Sequence, residues 1–164
     1  MLYLGGKLYV DRTSLDADSE NYLLKEIDGK TGTQIASCLK ADDYNRGWNF
    51  PLRLPFSFFY SKNTDAPKYV GLFSDTIMAG TKEGIKPYCV VKSEDFVSKK
   101  RMKKLISDCG PGEEFNYNVS DLHEEDCIFC ISRFVELDGM VSFQYRKGDE
   151  IMYLLHDVKT KETW

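Results

Sequence analysis

The 164 residues carry 22 basic and 26 acidic side chains, a formal net charge of −4, with 42% hydrophobic and 29% charged residues. This usage excludes a disordered chain, and the length suffices for a core without disulfide or metal staples. The acidic balance excludes bulk electrostatic attraction to nucleic acid or to an anionic membrane, so any such binding must come from a local patch.

No apolar run approaches the roughly 18 residues of a membrane-crossing helix. The N-terminal MLYLGGKLYVDRT lacks a basic segment followed by a long apolar one, so neither export nor membrane association is expected. Five scattered cysteines, an odd number, fit free thiols in a reducing compartment, and a cytoplasmic location is expected. Lysine outnumbers arginine, alanine is scarce, and tyrosine and phenylalanine number 10 each, the bias of an A+T-rich gene such as many phages carry.

In chain order, Leu2, Leu4, Leu8 and Val10 alternate around Gly5-Gly6 and predict a bulged strand or two short ones. NYLLKEI and TQIASCLK flank DGKTG, a hairpin in which Asp28-Gly29 is expected to supply the positive φ of the turn. A loop spans ADDYNRGWNFP, and RLPFSFFYS follows as a strand whose Phe56, Phe58 and Tyr60 share a face, with Pro55 marking an edge. KYVGLFS predicts a further strand, IMAGTKEGIKP a loop, and YCVVK a short buried strand.

A helix is expected near residues 94–108, capped by Ser93, with Glu94 and Asp95 in its first turn and Gly110-Pro111 as its stop. Met102, Leu105, Ile106 and Cys109 recur at i, i+3, i+4 and i+7 and form its core-facing stripe. A polar connection leads to CIFCISRFVEL, MVSFQYR and IMYLLHDV, separated by Asp138-Gly139 and Lys147-Gly148-Asp149, which read as a three-stranded meander. The expected class is therefore α+β: about eight or nine short, mostly antiparallel strands with one principal basic, amphipathic helix. A single domain over 1–164 is expected, with a subdomain joint, if any, near 75–86.

Among residues that could carry chemistry, Cys109, His123, Cys127 and Cys130 resemble a zinc set, through His-x3-Cys-x2-Cys spacing and soft ligands. Residues i and i+3 of a strand face opposite ways, so Cys127 and Cys130 reach one ion only if the strand starts after Cys127. Buried, inert cysteines are the expected state, and no metal or cofactor is assigned. His123 and His156 lie in no recognisable catalytic motif. Asp121, Glu124, Glu125 and Asp126 lack the spacing of a calcium loop, and no glycine-rich phosphate loop follows a strand.

Two segments point to recognition instead. Lys99, Lys100, Arg101, Lys103 and Lys104 fill five of six helical positions opposite the apolar stripe, with Phe96 and Val97 expected on the charged side. Tyr44, Arg46, Trp48 and Phe50 concentrate in one loop the residue types that dominate interfaces. The expected function is a non-enzymatic protein-binding factor, such as a phage-encoded inhibitor of a host protein, with an acidic protein as its partner. An enzyme with a site assembled from scattered residues and a nucleic-acid binder using the basic helix are the alternatives. The oligomeric state is not encoded in any visible motif.

Overall fold

In a computed structural model, residues 1–11, 21–48, 58–61, 64–108 and 121–164 are described. Eleven strands form three antiparallel sheets among them, so the molecule is mostly antiparallel β with few helices. The first sheet takes β1 (Leu2–Leu4), β2 (Lys7–Asp11), β3 (Tyr22–Asp28) and β4 (Gln34–Lys40) in that order. After α1 (Ala41–Tyr44), the second takes β5 (Phe58–Ser61), β6 (Thr64–Val70), β7 (Thr76–Thr81) and β8 (Gly84–Val90). Helix α2 (Lys99–Asp108) precedes the third sheet, ordered β11-β10-β9, with β9 (Ile128–Leu137), β10 (Met140–Lys147) and β11 (Glu150–Asp157). Every sheet is a meander, because its strands lie side by side in chain order.

The β3–β4 turn forms as expected, but the residue with positive φ is Gly32 (+71°) rather than Gly29. Asp28 organises the turn, its Oδ1 accepting the N–H groups of Lys30 and Thr31, each at 2.8 Å. Gly29 is needed for space: a Cβ there would meet the Gly6 carbonyl oxygen at 2.6 Å and a Tyr3 ring carbon at 2.8 Å.

The stretch expected as a loop, residues 77–87, is instead the paired hairpin of β7 and β8, turning at Lys82-Glu83 with Gly84 at φ +126°. β7 is buried along four consecutive residues, Ile77 to Gly80, so it carries no polar alternation. At Gly80 an added Cβ would lie 3.0 Å from Leu4 and 3.1 Å from Pro67. In strand β5 Phe59 points into the core, Phe58 packs on Tyr69 at 5.1 Å, and Tyr60 is exposed. Phe56 and the proposed edge residue Pro55 lie outside the described residues.

Helix α2 begins at Lys99, five residues later than the sequence suggests. Ser98 opens it, its hydroxyl accepting the Arg101 N–H at 3.1 Å and its carbonyl the Met102 N–H at 3.0 Å. Ser93 instead accepts the Asp95 N–H at 3.1 Å in a separate turn. Between them Phe96 and Val97 are drawn inward, because Ile128 donates to the Asp95 carbonyl at 2.7 Å and accepts from the Val97 N–H at 3.0 Å. Both side chains are buried rather than placed on the charged side, so tertiary pairing overrides local helical preference.

Three apolar clusters hold the sheets together. The first surrounds Trp48, Phe73, Met102, Leu105, Leu122 and Phe129. The second joins Phe59, Val70 and Ile77 to Ile131, Phe134 and Phe143 of the third sheet. The third gathers Leu23, Leu24, Leu39, Tyr69 and Met78 between the first and second sheets. The short run 69–73 serves all three: Tyr69 enters the third cluster, Val70 the second, and Leu72 and Phe73 the first.

Candidate functional site

The basic helix is fixed to the body by Met102 and Leu105, both essentially inaccessible to solvent. Helical periodicity then turns Lys99, Lys100, Lys103 and Lys104 outward, and all four are exposed. None of the four forms an ion pair with a carboxylate among the described residues. Lys99 with Lys103, and Lys100 with Lys104, are like charges four positions apart, each pair costing the helix about 0.2 to 0.5 kcal/mol.

Arg101 is different. Its Nε donates to Glu125 Oε1 at 2.6 Å and its guanidinium lies 3.9 Å from Asp121, so it ties α2 to the segment leading into β9. Of the five cations in the stretch, four remain as surface charge and one is used internally.

The aromatic loop is also internal. Trp48 is 1% exposed and meets Phe73 edge to face at 5.1 Å. Arg46 donates to the Phe73 carbonyl at 3.0 Å and to Asp75 at 2.8 Å, and its guanidinium carbon lies 5.4 Å from the Phe96 ring centre. Tyr44 is half-buried against the third cluster. Trp48 is thus closed into the core and Arg46 is engaged by Phe73 and Asp75, while Tyr44 and Arg46 remain partly exposed; Phe50 lies outside the described residues.

The Cys/His set is separated by its partners. β9 does begin just after Cys127, and Cys127 and Cys130 both pack against the first cluster. Cys130 has φ +59° and donates its N–H to the Leu72 carbonyl at 2.9 Å, a local distortion that lets both thiols face one core. Burial pushes both thiols above their ordinary range, opposite to the shift that activates a nucleophile or metal ligand. His123 Nδ1 faces Arg146 at 3.0 Å and Asp149 at 3.2 Å. Cys109 lies outside the described residues, and among those described no three ligating side chains converge on one point. The acidic run is partly engaged, Asp121 and Glu125 with Arg101 and Asp126 with Lys147 at 3.5 Å. His156 Nδ1 lies 2.8 Å from the Thr163 hydroxyl.

Sequence reasoning missed one charged cluster. Lys68 on β6 is buried, with its Nζ 3.3 Å from Glu136 Oε2, donating to the Ala66 carbonyl at 3.1 Å and lying 4.2 Å from the Tyr88 ring centre. Tyr88 donates its hydroxyl to Glu136 Oε1 at 2.6 Å. Burial first, then the hydrogen bond to Glu136 and its charge, push the Tyr88 phenol up to about 12. A lysine in PKYVG carries no signal of such burial, since strand alternation fails where both faces are covered.

No protein-family model matches the sequence, and no curated relative does. The structure is similar to that of a candidate exported protein from Bacteroides fragilis, with a TM-score of 0.72 at 16% identity over 99% of this chain. The chain spans 44% of that protein, less than half its length. At this identity the likeness shows a shared fold. It also corrects the cytoplasmic expectation. The same fold occurs in a protein named as exported, so free thiols and the character of residues 1–13 do not assign this chain to the cytoplasm.

Proposed function

We propose that the chain is a non-enzymatic binding protein that docks an acidic protein partner on the outer face of α2. The observation that carries this reading is four exposed lysines within six positions, unneutralised by any described carboxylate, on a chain of net charge −4. Several cations elsewhere meet counter-ions at short range, Lys7 with Glu26 at 2.6 Å, Arg46 with Asp75 at 2.8 Å and Lys147 with Asp95 at 2.9 Å, and α2 is distinguished by the density of its exposed lysines. Concentrated unpaired charge steers encounter with a surface of opposite sign and sets orientation on it. Burial of Trp48 removes that ring from the contact.

The experiment is affinity enrichment from nuclease-treated extract of the source cells, followed by titration of the purified partner against native protein and the double variant Lys100→Glu, Lys104→Glu. At least a tenfold loss of affinity is expected. Unchanged affinity would remove the helix from the interface. Retention on duplex DNA at low salt, weakening steeply as salt rises, would favour the nucleic-acid reading instead.

A further inference from the structure

A groove of about 500 Å³ lies between the end of β8 and the inner face of the third sheet. Antiparallel register places Val141 opposite His156 and Phe143 opposite Leu154, so these four side chains line one face. Val90 and Val91 form the facing wall, and the segment after β11 closes one end with Val158 and Thr163. The floor is continuous with the second apolar cluster, to which Val141 and Phe143 belong and against which Leu154, Cys89 and Val91 pack.

The polar members of the lining are few: Lys92, His156, Thr163 and Tyr88. Lys92 is exposed at the rim, and His156 is held by Thr163 through its Nδ1. Among the described residues no carboxylate lines the groove. Asp157, next to His156 in sequence, is engaged in its own turn, its Oδ1 accepting the N–H groups of Lys159 at 2.7 Å and Thr160 at 3.0 Å. Glu136, which holds the Tyr88 hydroxyl, is matched by Lys68.

A concave apolar site of this size with a small number of convergent polar groups is the form that small-molecule sites take. We infer that the groove binds an amphipathic monoanion, a medium-chain fatty carboxylate, with its chain along Val90, Val141, Phe143 and Leu154 and its head group at Lys92 and the free nitrogen of His156. An apolar lining supplies the driving force through burial of the chain. The Lys92 ammonium at the rim favours the anionic head over a neutral one. This site is separate from the α2 face and does not depend on it.

Titration calorimetry of the purified chain with sodium decanoate, below its micelle-forming concentration, tests the inference. Saturable one-to-one binding is expected, at least tenfold tighter than that of decanol. Lys92→Glu is expected to weaken decanoate at least tenfold, and Val158→Trp, at a half-exposed rim position, to block it. Circular dichroism confirms that each variant is folded, and Lys92→Ala serves if the reversal is not. Absence of saturable decanoate binding, equal affinity for decanol, or native affinity in both folded rim variants would each overturn the inference.

Discussion

Lys68 of β6 and Glu136 of β9 face each other at 3.3 Å in an interior where the lysine side chain is 2% exposed. They join the second and third sheets. A buried pair of this kind resists the loss of one partner far more than the loss of both. Glu136→Ala is expected to lower stability by about 3 to 5 kcal/mol, since it leaves the buried Lys68 charge without its counter-ion, and Lys68→Ala by less, since Glu136 is 16% exposed and keeps the Tyr88 hydroxyl. The double change Lys68→Met, Glu136→Leu is expected to recover most of that loss, and denaturant unfolding of the four proteins gives the coupling.

The Tyr88 phenol sits at about 12 in the folded chain and returns to about 10 on unfolding. The folded form holds its proton more tightly, so the associated stability is intact below pH 10 and is lost between pH 10 and 12. Tyr88→Phe is expected to flatten that alkaline decline, measured as the denaturation midpoint at pH 9, 10 and 11.

Space rather than backbone freedom decides Gly29. Gly29→Ala drives a methyl against the Gly6 carbonyl and the Tyr3 ring, and a loss of about 1 to 3 kcal/mol is expected. Gly32→Ala meets open space, and its cost of about 1 to 2 kcal/mol comes from the positive φ. Separation of β1 from the β3–β4 turn, read by hydrogen exchange of the Gly29 amide, accompanies only the first.

The two sides of α2 respond oppositely to substitution. Met102→Ala removes a fully buried side chain and is expected to cost about 2 to 5 kcal/mol. Lys100→Glu with Lys104→Glu changes stability by no more than about 0.5 kcal/mol, because both side chains are exposed. Thermal denaturation of the two proteins separates the packing stripe from the docking face.

Burial lifts the Cys38 thiol to about 11. At pH 8 its thiolate fraction is then roughly a hundredfold smaller than that of an unshifted thiol near pKa 9. Iodoacetamide labelling followed by peptide mapping is expected to leave Cys38 largely unmodified in the folded chain, with full labelling in denaturant.

The hairpin turn at Asp28 and the meander after Ile128 were legible because turn residues and alternating apolar positions coincide there. So was the sorting of Met102 and Leu105 from the lysines. The β7–β8 pair was not, since a strand buried on both faces shows no alternation and Gly80, Gly84 and Pro87 imitate a loop. The start of α2 was misplaced because Phe96 and Val97 pair with Ile128, a contact made thirty residues along the chain. Trp48 and Arg46 carry the residue types of an interface, yet those same types close a core when Phe73 and Asp75 stand opposite. Nothing in the sequence announces that Lys68 is buried.

Since Tyr69, Val70, Leu72 and Phe73 are rooted in three separate clusters, displacement of this one run would loosen every packed region at the same moment. The molecule is thereby wired for collective rather than piecemeal melting. A calorimetric scan is expected to show one heat-absorption peak, with amides of the β6–β7 pair exchanging only through global opening.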